Sequence, residues 1–228
     1  MSLSINFRGH HNDSDSKWAN VKYYGNHLAV LLGFRPSIAY RLREYLLPTS
    51  GKTLPDLAEI ATKLPSMVTT ACYIIACNGD TTTILEKDLT TAHTRSATDF
   101  ITATNHDHGC ENDPSHPYHP SNLKTQKSTG MEELISESID RKECIETKWK
   151  ETVTRRLLQY PKLKEEEVCA TADEVQLWMT SYPTANECTH YAVIMDPKEG
   201  DIVWCRRWKK PLKGPKGAKF DRKELLQE

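Results

Sequence analysis

Cys72-Tyr-Ile-Ile-Ala-Cys77, then Asn78-Gly79, then Thr81-Thr-Thr-Ile-Leu85, is the stretch that decides the fold. Two runs rich in β-branched and aromatic residues flank an Asn-Gly pair. The tightest hairpin turn needs positive φ at both central residues, which Asn and Gly tolerate, so the spacing predicts an antiparallel hairpin.

Working outward, residues 92–97 and 100–104 read as further strands. Residues 3–7 alternate apolar and polar side chains with a period of two and read as a strand as well. Near the end, Thr189-His-Tyr-Ala-Val-Ile-Met195 and Asp201-Ile-Val-Trp-Cys205 flank the turn-forming Asp196-Pro-Lys-Glu-Gly200 and predict a second hairpin. Between these strands the apolar spacing becomes helical. Residues 23–34 and 37–47 are separated by the Arg35-Pro36 break, and a short helix opened by Thr53-Leu-Pro-Asp-Leu57 runs to Leu64. Leu134, Ile135, Ile139, Ile145, Trp149, Val153 and Leu157 form one stripe of a helix starting near Met131, and residues 172–181 form another. The order is strand, helices, sheet, helices, hairpin, which predicts an α+β fold rather than repeated βαβ units. The expected sheet joins residues 71–105 with 187–206 and carries helices on one face. One domain is expected over residues 1–208, with a loop insertion near 106–130 and a flexible basic tail over 209–228.

Bulk properties exclude several classes. The 228 residues carry a formal net charge of -1, which gives no global attraction to nucleic acid or an anionic membrane. Hydrophobic residues make up 38% and charged residues 27%, enough apolar content for a core under a polar surface. Met1-Ser-Leu-Ser-Ile-Asn-Phe-Arg8 lacks the pattern of a signal peptide, and no apolar run is long enough for a transmembrane segment. The chain therefore reads as soluble. The seven cysteines are scattered without a C-x-x-C pair, so neither a dense disulfide framework nor a zinc ribbon is expected. Cys72 and Cys77 sit in apolar runs, where cysteine acts as a small hydrophobe. His106, His108, Cys110, His116 and His119 match no standard zinc spacing and read as a solvated loop, so no metal or cofactor is expected. The tail over 209–223 reads as solvated, and Asn12-Asp-Ser14 is a glycosylation sequon that matters only in the secretory pathway.

Three blocks carry a family resemblance. They are Phe34-Arg-Pro-Ser-Ile-Ala-Tyr40 through Leu64 with the hairpin of residues 72–87, then Phe100-Ile-Thr-Ala-Thr-Asn-His-Asp107, then Tyr182-Pro-Thr-Ala-Asn-Glu-Cys-Thr-His-Tyr191 with the last hairpin. In this order they resemble the acid ceramidase and N-acylethanolamine acid amidase family, choloylglycine-hydrolase-like enzymes with an N-terminal nucleophile. Leu3-Ser-Ile-Asn-Phe-Arg8 is similar to a family strand ending in Asn-Glu-Arg, with Phe7 in place of the Glu. The likeness extends to Trp208, and collinearity carries it.

The resemblance implies an αββα sandwich and hydrolysis of the amide bond in N-acylated lipids such as ceramide or N-acylethanolamines. In that family a cysteine exposed at a new N-terminus attacks the carbonyl, and its own α-amine, with a pKa of about 8, shuttles the proton. That cysteine, with the Arg and Asp that accompany it, lies upstream of everything matched here. This chain is thus expected to be the C-terminal portion, lacking the nucleophile and partnered by the missing upstream half and a lipid amide. Asn105 matches a family asparagine and is expected to donate to the developing oxyanion; the alternative is a strand-end Asn that satisfies a turn. Arg141, in Ile139-Asp-Arg-Lys142, falls where the family has Asp-Asp-Arg-Arg and would fix a carboxylate or steady the oxyanion; the alternative is a solvated charge. Arg8 is a lesser candidate. The family implies a lysosomal location, with the cytoplasm as alternative. Two rivals remain: a non-catalytic lipid- or protein-binding remnant of the fold, and an intact hydrolase using Cys72 or Cys77.

Overall fold

The computed structural model describes residues 1–8, 16–47, 55–116, 119–123, 131–210 and 212. The sequon at Asn12 and nearly all of the basic tail lie outside the described residues. The fold is mixed α+β with antiparallel sheets, and it divides into two compact units, Met1–Ile135 and Ser136–Glu228. Among the described residues no helix is long and apolar enough to cross a membrane.

The first unit is built on a four-stranded antiparallel sheet in the order β1 (Ser2–Phe7), β2 (Cys72–Cys77), β3 (Thr82–Lys87), β4 (Ala92–Ala97). Three helices lie between β1 and β2 in sequence: α1 (Lys17–Leu31), α2 (Ile38–Leu46) and α3 (Leu57–Lys63). Each starts at a side-chain cap that satisfies an otherwise orphaned backbone donor. Ser16 accepts from the Ala19 amide, Ser37 from Tyr40 and Asp56 from Glu59. These caps explain why α1 begins well before residue 23 and why α3 begins at Leu57; Thr53 lies outside the described residues. A short α4 (Pro120–Leu123) interrupts the expected loop insertion.

Register decides which side chains share a face, because side chains alternate along each strand. Ile74 lies opposite Ile5 and Leu85, and Ala76 opposite Leu3 and Thr83. This face meets the helices: Cys72, Ile74, Ala76 and Leu85 form one buried cluster with Ile38, Leu42, Leu57, Ile60 and Leu64. The other face is polar. Asn6 lies opposite Tyr73, Tyr73 opposite Glu86, Glu86 opposite His93, and Ile84 opposite Arg95.

In the second unit, α5 (Met131–Gln159), whose first turn belongs to the first unit, is followed by α6 (Ala172–Thr180) and a hairpin of β5 (Tyr191–Asp196) and β6 (Asp201–Arg207). Thr171 and Glu174 close a capping box at the start of α6. Glu174 also pairs with Arg155 and Arg156 of α5, the latter at 3.2 Å, so one carboxylate ties the two helices together.

Three expectations need correction. The expected sheet joining 71–105 with 187–206 is two separate sheets, because β5 pairs with β6 through its own turn and β4 ends the four-stranded sheet. Alternation reveals a hairpin but not the sheet it joins. Residues 100–104 form no strand. Their carbonyls are taken by side chains instead: Arg95 donates to Thr102 O at 3.1 Å and Asn6 Nδ2 to Thr104 O at 3.1 Å. The β2–β3 connection spans residues 78–81 rather than Asn78-Gly79 alone. Asn78 Oδ1 accepts from the amides of Asp80 and Thr81, and Gly79 takes the positive φ of 99° that a side chain would resist.

Because Ile74 is fully buried where helices meet sheet, Ile74→Ala is expected to cost about 2–5 kcal/mol in chemical denaturation. Ile202→Ala, at an exposed position of β6, is expected to stay within about 0.5 kcal/mol of the parent.

Candidate functional site

The polar face of the first sheet is covered by an irregular stretch of chain. Segment 102–111 lies over it, held by side chains that reach from the strands to its backbone and back. Asn6 and Arg95 take two of its carbonyls, as described, and Glu86 accepts from the amide of His108 at 3.0 Å. Glu86 is itself buried and is approached by Arg95 at 3.3 Å and His93 at 3.4 Å.

At the centre is Asp107, 8% exposed, facing Arg8, 4% exposed. Arg8 Nε donates to one carboxylate oxygen at 2.8 Å and its terminal nitrogen to the other at 2.6 Å, a bidentate pair. Arg8 also donates to Lys87 O at 3.2 Å, and Tyr73 donates its hydroxyl to Asp107 at 2.9 Å. His116 stands 3.8 Å from the same carboxylate. Burial acts to lower the Arg8 pKa, but the hydrogen bond and charge of Asp107 outweigh it and hold the group above its ordinary value. Burial, reinforced by Asp107, pushes the Tyr73 phenol well above its ordinary value. Arg8 and Tyr73 are therefore both held as proton donors to Asp107, a geometry that positions neighbours.

Asn105 is one of the neighbours so positioned. Its Nδ2 donates to Asn6 Oδ1 at 2.9 Å and to Phe7 O at 2.9 Å. An amide nitrogen carries two protons, and both have partners here, so donation to an oxyanion requires one of these bonds to be exchanged. Asn105 follows an irregular segment, not a strand, and clamps that segment to the end of β1. Arg141 lies in the second unit, half-buried on α5. Burial lowers its pKa, opposed by the charges of Glu137, Cys188 and Asp140. Arg141 thus lies within electrostatic reach of Cys188, inside the third resembling block.

The cysteines divide by environment. Cys72 and Cys110 are buried, Cys77 and Cys144 partly so, and Cys169, Cys188 and Cys205 exposed. Burial pushes the Cys72 thiol up to about 11, against the pull of Lys87 and Arg8, so it carries little thiolate at neutral pH. Lys87 lies opposite Cys72 on the helix-facing side of the sheet, fully buried, with its ammonium donating to Asp88 O and to Thr91 O at 3.2 Å. Burial pulls it down to about 8.

Asp107, Tyr73, Glu86 and Lys87 escaped the sequence reading as site residues. Asp107 ends the second resembling block, and Lys87 and Glu86 put two adjacent charges at the end of an apolar run, one on each face of the sheet. Compared with protein-family models, curated proteins and solved structures, the chain matches none of them significantly.

Asp107→Asn leaves a buried guanidinium without its counter-charge and is expected to cost about 3–5 kcal/mol in equilibrium unfolding. A loss under about 1 kcal/mol would show that Arg8 finds another anion. For Lys87 the folded pKa is about 8 against 10.5 for the unfolded chain, so the unfolded chain binds more protons between these values. Its contribution to stability therefore rises as pH rises from 8 to 10.5. Lys87→Met is expected to remove that rise from the pH dependence of unfolding.

Proposed function

We propose that this chain is the C-terminal portion of a ceramidase-like hydrolase, acting on the amide bond of N-acylated lipids and built as part of an αββα sandwich. The observation that carries this reading is the meeting of two resembling blocks that lie far apart in sequence. Asn105 donates to Asn6 and Phe7, and Asp107 grips Arg8, across separations of 98 and 99 residues. Asn105 and Arg8, two of the residues that resemble family site positions, thus lie together at the end of β1. In this reading Asn105 is the oxyanion donor, held in waiting by exchangeable bonds. Arg141 steadies charge in the second unit. The attacking thiolate comes from an N-terminal cysteine outside this sequence, on the upstream half of the same protein, and the enzyme works in the lysosome on a lipid amide. Buried Cys72, with its thiol raised to about 11, does not suit the nucleophile's role.

A second reading is favoured by one observation: both protons of the Asn105 amide are committed. A non-catalytic remnant that binds lipid or protein would keep that clamp permanently closed.

The purified chain alone is expected not to hydrolyse ceramide or N-acylethanolamines above background, since oxyanion donors cannot replace an attacking thiolate. Joined to an upstream family segment that presents an N-terminal cysteine, it is expected to turn substrate over. In that form Asn105→Ala should lower kcat by about 100-fold or more with little change in KM. Turnover by the chain alone, abolished by Cys72→Ser or Cys77→Ser, would overturn the proposal. Failure of the joined form to turn over would favour the binding remnant.

A further inference from the structure

The sequence of the His-rich insertion reads as a solvated loop, yet two of its members are buried. His106 has a side chain only 1% exposed, and Cys110 is likewise 1% exposed. The local chain explains how they meet. The amide of Cys110 donates to Asp107 O at 3.2 Å, and Gly109 takes a φ of 82°, so the backbone folds back on itself. This turn returns Cys110 and Glu111 to His106. One donor atom from each, an imidazole nitrogen, the thiol sulfur and a carboxylate oxygen, lies within 4.8 Å of the other two.

The separations within the cluster have chemical meaning. His106 Nδ1 lies 3.1 Å from the Thr104 hydroxyl, and Nε2 lies 3.6 Å from Glu111 Oε2. With the proton on Nδ1 and donated to Thr104, Nε2 turns a lone pair toward a carboxylate. Two acceptors facing each other in a buried place are costly unless a proton or a metal cation lies between them. The 3.6 Å spacing is too long for a good hydrogen bond. It is close to the edge of a tetrahedron drawn with metal–ligand bonds of about 2.0–2.3 Å, roughly 3.4 Å.

We propose that His106 Nε2, Cys110 Sγ and the Glu111 carboxylate bind a divalent transition-metal ion of the zinc class. The donor set selects the ion: imidazole and thiolate suit borderline-soft zinc or cobalt, whereas calcium and magnesium take oxygen ligands. On binding, the Cys110 thiol releases its proton to solvent and coordinates as thiolate. Thr104 orients the imidazole from behind, as outer partners of metal-bound histidine do. Three protein ligands leave the fourth tetrahedral position to water. The ion would staple the turn that follows Asp107, and so fix the segment bearing both Asp107 and Asn105.

The test is a cobalt(II) titration of the full chain after chelation and buffer exchange, read by absorption. One cobalt per chain is expected, with a sulfur-to-cobalt charge-transfer band that added zinc abolishes. Cys110→Ser should lose the band, while Cys169→Ser, at an exposed position, should keep it. Glu111→Gln, isosteric and gentle on the fold, should lower cobalt affinity by about tenfold or more, and Thr104→Val by about tenfold, each with an unchanged far-UV circular dichroism spectrum. Absence of the band in the parent chain overturns the proposal. So does a band that survives in Cys110→Ser, or an affinity unchanged in Glu111→Gln. Should Cys110→Ser fail to fold, the parent spectrum and Glu111→Gln decide the matter.

Discussion

A carboxylate buried against a sheet needs a counter-charge and hydrogen-bond donors, and Asp107 receives both from the two neighbouring strands that its segment covers. Arg8 comes from the end of β1, Tyr73 from β2, and Asp107 from the segment that covers the polar face. Burying two charges is costly, and only good geometry with satisfied hydrogen bonds recovers that cost. The bidentate pair, the tyrosine hydroxyl and the Lys87 carbonyl supply that geometry. Once this contact is set, segment 102–111 has one place to lie. Asn105, His106 and His108 then fall in turn against β1, against Glu111 and against Glu86.

The two faces of the first sheet therefore hold by different physics. On one side helices α2 and α3 bury aliphatic side chains against Ile74 and Leu85, a contact that tolerates sliding and repacking. On the other, directional hydrogen bonds between side chains and an irregular backbone fix the position of single residues. Chemistry that depends on placement belongs on the second face, and Asn105 lies there. Cys72 and Lys87 lie on the first, where burial perturbs both acidities and each partly offsets the shift of the other.

The first hairpin, the helices and the final hairpin were legible because their signals are local: alternation, 3.6-residue spacing, capping residues and turn chemistry. Residues 100–104 misled because an apolar, β-branched stretch next to a strand resembles another strand. The difference lies in long-range claims on its carbonyls by Asn6 and Arg95, which no local window contains. The same holds for the site. Asn105 and Asp107 stood inside a recognisable block, but their partners Asn6, Phe7 and Arg8 lie roughly a hundred residues away, so the contacts among them required the fold. The buried state of His106 and Cys110 was hidden for a related reason, since a run of His, Asp and Gly has the composition of a solvated loop.

Between Phe7 and its β2 partner Cys72 the chain passes through three helices before closing the pairing. The entropy of closing such an excursion grows only with the logarithm of its length, so doubling it adds about 0.6 kcal/mol. Lengthening or shortening the excursion therefore changes its closure entropy little. The strand ends where the excursion closes must keep their register to the residue.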